Sequence, residues 1–418
     1  MKAPTEVVGP APSSAGAARW VAIGILLSRI SGLAREVLFA RYFGTSRYAD
    51  VFRAALRMPN VLQNLLGEGT LSASFIPVYA RLLEQGREKE AGRVAGAIFA
   101  LLLAVAGALT LFGMVAAPLL VRIFFFGFDA DKQALTVTCT RIIFPMTGVL
   151  VLSAWTLGVL NSHRRFFLSY VAPVLWNVAM IATLLWFGFR QPERQLVVTL
   201  AWGAFVGGLL QFGVQVPFVL RLERQLRIRL NLKLQGVRDA VRTAGHAVSG
   251  RGVVQLSGWA DMFLASVMGN GVIAVLGYAQ TLYMLPISLF GMSVAAAELP
   301  ELARNRGAAV ELLVQRVNVG LKQIAVLVVP ATVGYLLLGD LIVAGLYQRG
   351  VFTPDDTFVV TLVLMAYTIG LPASTATRLF SSAFFAMQDT RTPARIAYLR
   401  VGVAALLGGL ITLWVKFG

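Results

Sequence analysis

The chain has 418 residues, 57% of them hydrophobic and only 14% charged, with a formal net charge of +17. Its mean hydropathy of +0.73 excludes a soluble globular domain and defines a polytopic membrane protein. A single cysteine, Cys139, excludes an internal disulfide or a thiolate metal cluster and reads as a small apolar residue within a helix.

In chain order, residues 1–17 are rich in Ala, Pro and Ser and lack an apolar core with a cleavage site, so they read as a disordered cytoplasmic tail. Stretches long enough to span a bilayer as helices follow at 18–43, 50–82, 92–120, 133–160, 166–189, 196–220, 238–268, 271–300, 312–346, 357–386 and 393–416. The predicted fold is therefore all-α with about eleven transmembrane helices. Counted over alternate connections, Lys and Arg number 22 on the side of the N-terminus and 6 on the other. This bias places the N-terminus in the cytoplasm and accounts for the basic charge without nucleic acid.

The sequence repeats weakly. Gly127-Phe128-Asp129-Ala130-Asp131 is similar to Gly350-Val351-Phe352-Thr353-Pro354-Asp355, 223 residues later, and Pro59 has a counterpart in Pro286. Such an offset implies two pseudo-symmetric six-helix lobes related by an axis along the membrane normal. The N-terminal lobe is expected at 18–221 and the C-terminal lobe at 238–418, joined by a basic cytoplasmic linker at 222–237 that includes Arg224, Arg227, Arg229 and Lys233. By this periodicity the second lobe lacks its sixth helix, so the lobe is expected to be incomplete at the C-terminus.

The second helix carries the chemistry. Asp50, Arg53, Arg57, Asn60, Asn64 and Glu68 recur at steps of three and four, which places all six on one face at about 100° per residue. A charge at mid-membrane costs roughly 2.5–3.5 kcal/mol, so the stripe must meet water or partner charges. The alternative is a solvated helix outside the membrane. In the first helix, Ser28, Arg29, Arg35 and Glu36 add to the set. Arg29, Arg35, Arg53 and Arg57 outnumber Glu36, Asp50 and Glu68, and a cavity with spare guanidinium charge favours an anion, above all phosphate. Internal ion pairing that only fixes helix register is the competing reading. Pro59, Gly67, Gly69 and Pro77, with Pro286, Gly291 and Pro300, are candidate bending points. Asp261, in the seventh span, is a candidate cation or proton ligand. No nucleotide-binding loop, metal motif or catalytic constellation is present, so no cofactor and no enzymatic activity are expected.

The segments Ser28-Arg29 through Arg35-Glu36, Ala49-Asp50, Arg57-Met58-Pro59-Asn60, Gly67-Glu68-Gly69 and Phe75-Ile76-Pro77 together resemble the MurJ/MviN family of lipid II flippases. Tyr278-Ala279 and Tyr347-Gln348-Arg349-Gly350 extend the resemblance, which covers residues 18–400. It implies the two-lobed multidrug/oligosaccharidyl-lipid/polysaccharide exporter fold in the bacterial inner membrane. The implied cargo is undecaprenyl-diphosphate-linked disaccharide-pentapeptide, with membrane lipids and cell-wall synthesis proteins as partners. It also implies diphosphate binding by Arg29 and Arg35, with Arg57 at a basic position, acidic positions at Asp50 and Glu68, and a sodium position at Asp261. Arg53, where the family tends to be apolar, adds a charge to the stripe and completes the candidate cavity set with Ser28, Asn60 and Glu36. Coupling to sodium, protons or the membrane potential is expected. Gln63, Gln280 and Thr281 stand where the family carries charge, which keeps open export of another polyprenyl-linked glycan or of a small molecule, or a non-transporting cell-wall scaffold.

Overall fold

The computed structural model of the protein describes residues 14–291, 310–387, 389 and 391–417. Thirteen α-helices occupy them. The first seven are α1 (Ser14–Phe43), α2 (Arg47–Leu66), α3 (Glu68–Glu84), α4 (Glu88–Phe124), α5 (Ala130–Ser162), α6 (Phe166–Phe187) and α7 (Glu193–Leu222). Next come α8 (Gln235–Val267) and α9 (Val272–Pro286), which runs into a π-helical turn, Ile287–Gly291. The last are α10 (Val310–Tyr347), α11 (Pro354–Ile369), α12 (Leu371–Ala386) and α13 (Arg391–Phe417). Residues 1–13 of the expected tail, and Pro300, lie outside the described residues.

Seven single helices are long and apolar enough to cross a membrane, and α11 with α12, bent by 43°, makes an eighth. The other three expected spans are α1, the α2–α3 pair and α8. These hold Arg29, Arg35, Glu36, Arg53, Arg57 and Asp261, so the charge that lowers their hydropathy also marks them as walls of a polar interior. The second span breaks at Gly67, whose amide still bonds to the Gln63 carbonyl at 2.8 Å before α3 restarts at Glu68. Its backbone leaves no room for a side chain, since a Cβ there would lie 2.2 Å from that same carbonyl oxygen. The ninth helix ends at Pro286, which lacks an amide hydrogen, and the ladder loosens into the π turn beyond it.

The two repeats meet reciprocally at the end of the bundle where α1 finishes. A Cβ on Gly127 would fall 2.2 Å from the Ser266 carbonyl oxygen at the end of α8, and one on Gly350 would fall 2.2 Å from the Arg41 carbonyl oxygen near the end of α1. Each lobe thus presents an equivalent glycine to the equivalent helix end of the other. An aromatic cluster fills the seam: the Tyr278 ring lies 6.3 Å from Phe39, 5.1 Å from Tyr347 and 5.5 Å from Phe352. In lipid such close packing, rather than apolar burial, supplies the attraction between helices.

Candidate functional site

The seam is also sealed by charge. Asp50, in the first turn of α2, is fully buried and accepts from Lys132 Nζ at 2.8 Å. Its two oxygens also accept from the backbone amides of Gly271 (2.7 Å) and Ala274 (2.8 Å), so a carboxylate of the first lobe caps the start of α9 in the second. Gly271 occupies the left-handed region at φ +86°, which turns its amide toward Asp50. Lys132 donates a further bond to Asn270 Oδ1 at 2.9 Å. Asp50 is therefore buried in the seam between the lobes, where its carboxylate ties the first to the second. Periodicity gives the face a residue occupies and leaves its depth open: at 1.5 Å per residue, Asp50 to Glu68 covers about 27 Å, nearly a whole bilayer core.

Deeper in, Arg35 and Arg53 share one carboxylate. Arg35 Nη2 donates to Glu36 Oε1 at 2.7 Å, and Arg53 Nη2 donates to Glu36 Oε2 at 2.7 Å. The second arm of Arg35 reaches Asn177 Oδ1 on α6 at 3.0 Å, and its guanidinium lies 4.8 Å over the Trp176 ring. Arg53 lies over Phe39 at 5.1 Å and Tyr278 at 4.5 Å, against the bare backbone of Gly277. Two guanidiniums on one carboxylate leave one positive charge in excess. One turn further along α2, Arg57 is in electrostatic reach of Asp261 on α8, yet the two form no ion pair within 4 Å among the described residues. The Arg57 Nε is buried without a hydrogen-bond partner, a donor left unused by the protein itself.

The remaining expected positions fall as follows. Arg29 is exposed on α1 and takes no part in the Glu36 network. Ser28 contributes its carbonyl, not its hydroxyl, accepting from Ser31 Oγ at 3.0 Å and Asn177 Nδ2 at 3.5 Å. Asn60 lines a pocket of about 280 Å³ with Gln63 and Trp176. The Glu68 side chain lies outside the described residues. Asp261 is exposed, and no group of three or more His, Cys, Asp or Glu side chains able to hold a metal ion occurs among the described residues. Of the family's charged positions, Gln280 is exposed and Thr281 bonds to the Gly277 carbonyl at 2.9 Å.

Three contributors are not evident from the sequence, Lys132, Trp176 and Asn177, and Tyr278 is evident only as part of the family motif. Asn177 had a signal, being the one side-chain amide in a 22-residue apolar helix. Lys132 follows the Asp129 cap and reads locally as an ordinary helix start; only the fold brings it to Asp50, 82 residues away.

A two-lobed helical bundle sealed at one end around a cationic interior defines a membrane transporter. The same fold is found in the inward-facing conformation of a multidrug resistance MATE family transporter of the MOP superfamily (TM-score 0.74, 18% identity, 96% of this chain and 91% of that one). It is found also in the lipid II flippase MurJ in its inward closed conformation (TM-score 0.78, 24% identity, 95% of this chain and 87% of that one). Residues 39–418 match the family described as lipid II flippase MurJ. The probable lipid II flippase MurJ of Rhizobium tropici is 33% identical over 389 residues, covering 92% of this chain and 73% of that protein. The lipid II flippase MurJ of Burkholderia cenocepacia is 33% identical over 380 residues, covering 89% and 73%. The chain belongs to the lipid II flippase MurJ family.

Proposed function

We propose that the protein moves lipid II, the undecaprenyl-diphosphate-linked peptidoglycan precursor, from the inner to the outer leaflet of the bacterial cytoplasmic membrane by alternating access. The observation that carries this reading is the pair of guanidiniums, Arg35 and Arg53, held on opposite oxygens of the single carboxylate of Glu36. Glu36 keeps both arginines oriented while neutralising only one of them. A diphosphate entering the cavity finds that surplus charge together with the free Nε of Arg57. Charge-assisted bonds from planar guanidiniums suit phosphate oxygens, and a low-dielectric interior strengthens them.

The sugar-peptide head crosses through the polar interior while the isoprenoid tail remains in lipid. The Asp50–Lys132 latch holds the outer side shut until the loaded interior favours release. The N-terminus lies in the cytoplasm in this scheme, and the driving force comes from a sodium gradient, protons or the membrane potential, with Asp261 as the exposed carboxylate that a cation would meet. Membrane lipids and cell-wall synthesis proteins are its partners.

Complementation of a flippase-depleted bacterial strain tests the reading. Wild-type protein restores growth, and Arg35→Ala at equal expression does not. Normal growth with Arg35→Ala and Arg53→Ala alike contradicts it.

A further inference from the structure

Beside the arginines lies a pocket of different chemistry. The cavity of about 280 Å³ between α2, α5, α6 and α7 is lined by Asn60, Gln63, Ser153, Trp176 and Gln211 over an apolar floor that includes Met146. None of these polar side chains is charged. A chain of hydrogen bonds fixes one wall. Ser153 Oγ donates to Gln215 Oε1 at 2.9 Å, while the neighbouring Thr156 hydroxyl gives its single proton to the Ser153 carbonyl at 2.7 Å. With its proton committed, Ser153 Oγ accepts from Gln211 Nε2 at 3.2 Å. The Gln211 amide is thereby oriented with its carbonyl and second N–H unclaimed. Asn60 and Gln63 likewise make no side-chain hydrogen bond among the described residues. Trp176 is locked by its indole N–H, which donates to the Ala204 carbonyl at 3.0 Å, and its ring carries the Arg35 guanidinium.

Pre-oriented amides around an aromatic ring can donate and accept at once, which is the requirement for hydroxyl and acetamido groups. Trp176 joins this wall to Arg35, so a ligand whose diphosphate lies on the arginines presents its next group here. We infer that this pocket is a saccharide subsite that reads the first N-acetylated sugar of a lipid-linked diphosphate, with Gln211 and Ser153 as its specificity-determining residues. The inference rests on the flippase reading and deepens it. Gln63 fits the same account, since an amide there keeps the pocket neutral and free of competition for phosphate.

Binding by the purified full chain in lipid nanodiscs tests it, with two probes: undecaprenyl diphosphate, and undecaprenyl diphosphate bearing one N-acetylated hexosamine. Wild-type protein is expected to bind the glycosylated probe about tenfold more tightly, the equivalent of one good hydrogen bond or two modest ones. Gln211→Leu and Ser153→Ala should each erase most of that margin while keeping wild-type affinity for the bare diphosphate, which also reports that each variant is folded. The subsite is overturned if the margin survives both substitutions, or if both probes weaken together. Wild-type protein that binds the bare diphosphate without any margin overturns the subsite alone. Wild-type protein that binds neither probe overturns the flippase reading with it.

Discussion

Lys132 and Asp50 form a buried ion pair, Nζ to Oδ2 at 2.8 Å, with side chains 1% and 0% exposed. The pair belongs to the first lobe, yet the same carboxylate caps α9 of the second, so the charge balance of one lobe sets the strength of the seal between both. Removing the lysine leaves an uncompensated buried carboxylate, which costs about 3–5 kcal/mol. Lys132→Ala should therefore loosen the seam, which the proposed topology places on the outer side. In a Cys139→Ser background, a cysteine placed at the buried Ala274 should react with a membrane-impermeant thiol reagent far faster once Lys132 is replaced. Equal labelling with and without Lys132 contradicts the latch.

Gly277 keeps Arg53 in place by being small. A Cβ there would lie 2.3 Å from Arg53 Nη1, so Gly277→Ala must displace the guanidinium from Glu36 and from the Tyr278 ring. The obstruction is the end of a flexible side chain, so the fold should survive while diphosphate binding falls several-fold. A melting temperature close to wild type, alongside weakened binding, is the expected pair of results.

The linker between the lobes is held by backbone contact with α4. A Cβ on Gly96 would come 2.0 Å from the Arg227 carbonyl oxygen, whereas one on Gly107 in the same helix meets nothing within 4 Å. Gly96→Ala is expected to destabilise the protein by about 1–3 kcal/mol through forced backbone movement. Gly107→Ala should be neutral or stabilising by up to about 1 kcal/mol through helix propensity. Thermal unfolding of the two variants in one detergent checks the contrast.

At the opposite end of α5, Tyr79 donates its hydroxyl proton to Glu223 Oε2 at 2.6 Å, so the His163 Nε2 that contacts it at 3.0 Å must carry the other hydrogen. Burial sets the His163 imidazole below its usual range, outweighing the pull of Glu223 and Glu88, while Arg165 adds to the depression. The folded chain thus binds this proton less readily than the unfolded chain does. Stability from this group is complete above about pH 6.5 and declines as pH falls from there through the lower folded value. His163→Gln should flatten that decline, measured as melting temperature between pH 5 and 8.

The charged arginines of α2, the break at Gly67 and the doubled architecture were all legible in the sequence, because each is a local or periodic signal. The partners were not. Arg35 finds Asn177 at a separation of 142 residues, and Asp50 finds Gly271 at 221. Contacts of that kind follow from packing between helices, which a hydropathy pattern does not encode. The sequence did supply the charge excess of the interior; the fold supplied its division into a neutralised latch, a shared carboxylate and an arginine left with a free donor.

The affinity of the reconstituted chain for undecaprenyl diphosphate tests the central claim most directly. Arg35→Ala, Arg53→Ala and Arg57→Ala should each lower it by about 10- to 100-fold, the worth of one or two charge-assisted bonds, with high salt weakening the wild type in the same direction. Unchanged affinity in all three folded variants would show that the guanidiniums serve only to hold the helices together.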